Sequence, residues 1–141
     1  MEDINALDEI NKGTCMGMDA ISFVLEKVID EDFKNVIKKQ HNDYHMIEEK
    51  IQKIYHKYDD GKPHETNIVT KAMTWSGIEM KTLTDNSNSK IAELLLQGVN
   101  MGIIEGRKIL NQKKLNKEVR NIVSEYVMMQ EENVEVLKKY L

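Results

Sequence analysis

Proline occurs once, cysteine once and glycine seven times in 141 residues, and this scarcity of turn and crosslink chemistry excludes several kinds of protein. So little Gly and Pro leaves few tight turns, which argues against an all-β fold. Cys15 has no second cysteine to join, so an internal disulfide is excluded and a reducing, cytoplasmic setting is expected. The N-terminal MEDINALDEINKG lacks both the basic start and the apolar run of a signal peptide. No window approaches the roughly 18 uncharged apolar residues of a membrane span. The net charge is −4, with lysines and acids intermixed and no basic stripe, which disfavours a nucleic-acid partner. With 40% hydrophobic and 31% charged residues, the composition fits one helix-rich domain over residues 1–141.

What is present is helical periodicity almost everywhere. A first helix is expected over about residues 4–29, with Leu7, Ile10, Thr14, Gly17, Met18, Ile21, Leu25 and Val28 on one face. Asp30 offers an N-cap, and Glu31 and Asp32 place negative charge at the next helix start. That second helix carries Phe33, Ile37, Gln40, Tyr44, Ile47, Ile51, Ile54 and Tyr58 in steps of four and three, the spacing of a bundle seam, and ends at DDGKP (59–63). TNIVTKAMTWSGIEMKTL reads as a shorter helix with Ile68, Ala72 and Trp75 to one side, followed by the polar loop DNSNS (85–89). A third long helix over about 90–113 places Ile91, Leu94, Leu95, Gly98, Met101, Gly102 and Ile109 inward. Asn116 caps a fourth, carrying Leu115, Val119, Ile122, Val123, Tyr126, Met129, Leu137 and Tyr140.

The chain also repeats itself. GTCMGMDA (13–20) aligns with GVNMGIIE (98–105), Asp30 with Asn116, and FKNVI (33–37) with VRNIV (119–123). Taken in order, these matches suggest two copies of a helical hairpin. Short links make each pair antiparallel: hairpin one over 1–58 and hairpin two over 90–141, with a crossover over 59–89. A helix of about 28 residues is about 42 Å long, and a crossover containing a short helix can span it. The expected fold is therefore all-α, a ferritin-like four-helix bundle of two hairpins joined by one long crossover.

The glycine-marked first and third helices, the run from Trp75 to Ser89 and Gln130 in the last helix give the chain its family likeness. It resembles a family of small bacterial ferritin-like proteins characterised only as a domain of unknown function. The resemblance spans nearly the whole chain and implies a fold, with a setting in stress or dormancy. It carries no catalytic signature. Spore-coat proteins of similar bundle shape are a more distant likeness.

A ferritin-like di-metal centre needs a Glu from each of two helices and Glu-x-x-His from each of the other two, all pointing inward. The second helix offers Gln40-x-x-Asp43 instead, and the fourth Gln130-x-x-Asn133. Amides bring no negative charge to offset two cations. The first helix offers Thr14 and Met18, and the third only Glu105. His41 and His45 stand one turn apart, a spacing that suits a transition metal. They fall about 90° and about 130° from the seam, however, on a solvated flank. Gln40 and Gln130 sit in apolar seams, where bonding to each other, to a tyrosine hydroxyl or to water would fix register. No metal or cofactor is expected, and no nucleophile–base pair or phosphate loop appears. The favoured reading is a non-enzymatic structural or protein-interaction module. The alternative is a metal-binding or redox protein using a degenerate core site around Glu105, Gln40 and Gln130, or the His41/His45 patch. Gly13, Gly17, Gly98 and Gly102 are expected to let the first and third helices approach. A second apolar strip on the third helix, Leu96, Val99, Ile103 and Leu110, has to be covered by the crossover helix with Trp75 or by another copy of the chain, and the expectation is a homo-oligomer, a dimer or larger assembly.

Overall fold

The computed structural model describes residues 2–63, 77–82 and 85–141, and all regular structure among them is helical. Four long helices are α1 (Glu2–Leu25), α2 (Glu31–Tyr55), α3 (Asn88–Gln112) and α4 (Lys117–Lys138). Residues 77–82 are also helical. The expected crossover residues Ile68, Ala72 and Trp75 lie outside the described residues. No described helix is long and apolar enough to cross a membrane.

Side chains of the expected kind set the helix starts. Asp30 accepts from the Phe33 N–H at 2.8 Å, satisfying one orphan donor of α2. Ser87 does the same for Lys90 at 3.2 Å at the head of α3. Asn116 begins α4 without a side-chain cap bond. Its own N–H donates to Asp3 at 2.8 Å, and the Lys114 N–H donates to Glu2 at 3.2 Å. The first turn of α1 is thereby tied to the link between α3 and α4.

Cross-helix contacts fix the directions. Tyr55 meets Asp8 and Glu48 meets Cys15, so α1 and α2 run antiparallel. Arg107 meets Glu131 and Leu110 meets Arg120, giving the same relation for α3 and α4. Tyr44 with Gln130, Lys50 with Glu125 and Lys57 with Glu118 make α2 and α4 antiparallel as well. Between these helices lies one continuous core, which includes Leu7, Phe33, Ile37, Ile51, Ile91, Val119 and Tyr126. Phe33 stacks on Tyr140 with ring centroids 4.4 Å apart and closes one end. Lys27 pairs with Glu79 at 2.8 Å, fastening the helical segment 77–82 against the end of α1.

All four seams differ in places from their sequence reading: in α1 Val24 is buried and Leu25 partly so, and in α4 Val127 is buried and Met129 partly so. In α2 the last core position is Tyr55, buried, while Ile54 and Tyr58 are only partly buried. In α3 the buried face is Ile91, Ala92, Leu95, Val99, Gly102, Gly106 and Ile109. Met101 is instead 62% exposed, and Gly98 is exposed too. The strip expected to face outward therefore dissolves. Val99 is core, and Leu96, Ile103 and Leu110 pack partly buried against it. That strip gives no warrant for a dimer.

The glycines separate along the same line. A Cβ on Gly106 would come 2.4 Å from Val127 Cγ2, whereas one on Gly98 would meet nothing within 4 Å. Gly98→Ala should therefore stabilise by about 0.5–1 kcal/mol through lower backbone entropy in the unfolded chain. Gly106→Ala should destabilise by about 1–3 kcal/mol, because the stiff β-branched Val127 cannot easily yield. Urea unfolding of the two variants measures the contrast, and equal effects would contradict this placement of α3.

Candidate functional site

The bundle centre is built from two helices. α2 supplies Gln40 and Tyr44, and α4 supplies Tyr126 and Gln130, in each case one helical turn apart on one face. Gln40 is 4% exposed and Gln130 is 1% exposed. The Tyr44 hydroxyl donates to Gln130 Oε1 at 2.7 Å. Gln130 also hydrogen-bonds Tyr126. One amide thus joins two phenols across the middle of the core.

Glycines on the other two helices make room for this layer. A Cβ on Gly17 would lie 2.5 Å from the Tyr44 ring, and one on Gly13 would lie 2.5 Å from the Tyr126 hydroxyl. One on Gly102 would lie 2.5 Å from Gln130 Nε2 and 2.7 Å from the Tyr126 hydroxyl. The expectation that glycines serve mutual approach of α1 and α3 is therefore corrected. Gly13, Gly17 and Gly102 receive side chains from α2 and α4, and Gly98 receives none.

Burial governs the electrostatics of the layer. It raises the Tyr44 hydroxyl well above the ordinary tyrosine range, reinforced by Tyr126 and only partly opposed by the Gln130 bond. Tyr126 is raised for the same first reason, with nearby Glu105 adding to it. Both phenols are held neutral.

Beside this layer, between α1, α3 and residues 77–82, lies a cavity of about 580 Å³. Gln40, Tyr44 and Tyr126 line it together with Gly13, Gly17, Gly98 and Gly102. Ile10, Ile21, Val24, Leu95 and Val99 contribute apolar wall. Among the described residues, Nε2 of Gln40 has no hydrogen-bond partner, and neither has Nδ2 of Asn133.

The residues considered for a metal do not converge. Glu105 is exposed and lies at the cavity, about 80° round α3 from its buried face. Asp43 turns outward to Lys39 at 3.1 Å. Thr14 is buried, but its hydroxyl donates to the Ile10 carbonyl of its own helix at 2.8 Å. His45 is half-exposed between Glu48 at 3.5 Å and Glu49 at 3.1 Å, and His41 is part-exposed. No group of three or more His, Cys, Asp or Glu side chains placed to hold a metal occurs among the described residues. Gln40 does not bond Gln130. The tyrosine that sequence reasoning offered as one partner among several is the partner of Gln130.

A second polar cluster on the α1–α2 seam escaped the sequence reading. The Tyr55 hydroxyl donates to buried Asp8 at 2.7 Å, and Cys15 Sγ lies 3.6 Å from Glu48 Oε2. Burial and the Asp8 carboxylate push Tyr55 upward. The available signal was Tyr55 itself, four residues beyond Ile51. Tyr58 at the end of α2 donates to Glu118 at 2.6 Å, which with Lys57 lowers the Glu118 carboxyl.

Compared with known family models, curated proteins and solved structures, the chain matches none.

Two outcomes follow for the central layer. Tyr44→Phe leaves Gln130 Oε1 without its donor, so a loss of about 1–3 kcal/mol is expected in denaturant unfolding. Gln130→Ala should cost at least as much, and the double variant less than the sum of the two. Strict additivity would show that the bond is not felt. For pH, the folded-state values of Tyr44 and Tyr126 lie above the unfolded value of about 10, so the folded chain retains protons that the unfolded chain loses. Their contribution is complete below about pH 10 and declines above it. Tyrosinate absorbance of the two core phenols should therefore appear only with loss of helical circular dichroism, and ionisation in the intact fold would contradict the burial argument.

Proposed function

We propose that the chain is a ferritin-like bundle of two helical hairpins, joined by a crossover over 59–89, that serves as a non-enzymatic binding or structural module. The observation that carries this reading is the amide–tyrosine layer. Tyr44, Gln130 and Tyr126 occupy the centre, where a di-metal protein needs inward carboxylates and imidazoles. Neutral phenols and an amide cannot balance two divalent or trivalent cations. Nor do they form a nucleophile–base pair, since a phenol held neutral by burial is a poor nucleophile and a poor base.

The duplication gives the hairpin reading its support. Aligned Phe33 and Val119 are both core, as are aligned Ile37 and Val123, and Asp30 and Asn116 both stand at helix starts. The same alignment superposes Gln40 on Tyr126 and Tyr44 on Gln130, so the central layer has the same two residue types in opposite order. The antiparallel pairs α1–α2 and α3–α4 fit two such units. The family resemblance adds a setting in stress or dormancy.

Metal analysis tests the reading. Protein purified without chelator or nickel resin should hold well under one iron or manganese per chain. Stoichiometric metal that disappears in Glu105→Ala or Gln130→Ala would overturn the proposal.

A further inference from the structure

We propose that the cavity between α1 and α3 binds a mainly apolar alcohol or phenol, whose hydroxyl sits between the Tyr126 hydroxyl and the Glu105 carboxylate. The proposal rests on reading the bundle as a non-metallic binding module and names its ligand class. Its first ground is where Tyr126 ends. The ring runs along α3, since a Cβ on Gly106 would lie 3.6 Å from its Cδ1 and one on Gly102 would lie 2.7 Å from its hydroxyl. A Cβ on Gly13 of α1 would lie 2.5 Å from the same hydroxyl. The phenol tip therefore reaches the gap between the two helices, where Tyr126, Gly13 and Gly102 all line the cavity.

The donors of the central layer run one way and end at that tip. Tyr44 donates to Oε1 of Gln130. Nε2 of Gln130 lies beside the Tyr126 hydroxyl, the two being 2.5 Å and 2.7 Å from the same Cβ position on Gly102. An amide nitrogen only donates, so the Tyr126 oxygen is the acceptor in its bond with Gln130. Its own O–H points away from the amide, and burial keeps that proton in place.

Glu105 supplies the complementary group. It is exposed, lines the cavity and lies three residues beyond Gly102, one turn along the same side of α3. Side chains on a helix lean toward its N-terminus, which carries the carboxylate back toward Gly102 and the Tyr126 tip. One O–H donor beside one anionic acceptor is selective. A ketone or ether accepts from the phenol but offers Glu105 no proton. An ammonium donates to Glu105 but has no lone pair for Tyr126, and a ligand carboxylate is repelled by Glu105. A hydroxyl accepts from the first and donates to the second.

Size and walls define the rest of the molecule. A volume of about 580 Å³ falls within the roughly 300–1,000 Å³ of small-molecule sites. Ile10, Ile21, Val24, Leu95 and Val99 supply hydrocarbon contact for a ring or chain. Burying that apolar surface drives association, and the paired hydrogen bonds orient the hydroxyl.

2-Naphthol provides the test, against 2-methoxynaphthalene, which accepts but cannot donate, and 2-naphthoate, which Lys12 and Lys81 at the cavity would draw. In a fluorescence titration, full-length protein should bind 2-naphthol saturably, one per chain. It should bind the ether about tenfold more weakly, the effect of one lost hydrogen bond. Glu105→Leu, at an exposed position, should remove that preference while circular dichroism stays helical. Tyr126→Phe should weaken both neutral probes about tenfold, and if that variant is unfolded, Glu105→Leu decides alone. Absence of saturable 2-naphthol binding overturns the proposal. So does equal affinity for the ether, a preference that survives Glu105→Leu, unchanged binding by folded Tyr126→Phe, or tighter binding of 2-naphthoate. Metal content measured on the same preparation separates the two readings. Stoichiometric metal defeats the module itself, and metal-free protein that ignores 2-naphthol defeats the ligand class alone.

Discussion

A hydrogen bond of 2.7 Å from Tyr44 to Gln130 crosses the middle of the core, and the surrounding packing is arranged about it. Both residues are buried, so breaking the bond would leave an amide oxygen and a hydroxyl in a medium that cannot solvate them. The bond also sets register. Sliding α4 by one turn against α2 would put Tyr126 or Asn133 opposite Tyr44, and neither has the same reach. Apolar contacts tolerate such slippage, whereas a directed bond between two buried groups does not.

The central layer imposes its shape on the other two helices. Phenol rings and a long amide need more space than the aliphatic residues above and below them. That space comes from Gly13 and Gly17 on α1 and Gly102 on α3. Each of these glycines weakens its own helix by about 1 kcal/mol relative to alanine. Glycine is retained where a side chain from α2 or α4 already fills the Cβ position. Gly98 differs from them, since a Cβ there would meet nothing within 4 Å, and it borders the cavity at the flank of the layer.

Polar bonding at the ends of the bundle complements the centre. Carboxylates from the first turn of α1 receive backbone N–H groups of the α3–α4 link, where negative charge also suits the start of a helix. Tyr58, Asn116 and Glu118 gather at the same end and join α2 to α4. Exposed ion pairs such as Lys57–Glu118 add little by themselves. Their use is to confirm the pairing that the buried bonds have already set.

Helical class, the positions of the long helices and most of α2's buried seam were legible in the sequence, because a 3.6-residue period and side-chain caps are local properties. The amides at Gln40 and Gln130 were equally visible as polar residues in apolar seams. Their partners were not. Whether Gln130 meets Gln40, a tyrosine or water depends on the depth at which α2 and α4 face each other, and no local pattern encodes that depth. The rotation of α3 was misjudged for a similar reason. Apolar residues run nearly all round that helix, so periodicity alone could not choose between Gly98 with Met101 and Val99 with Gly106. Val127 and Gln130, packing from α4 onto Gly106 and Gly102, made that choice. By itself the sequence determined which residues form helices and which side chains are short of partners. Only the tertiary structure decided which of those shortages are met, at Gln130, and which are not, at Nε2 of Gln40 and Nδ2 of Asn133, because hydrogen-bond satisfaction depends on distances between helices.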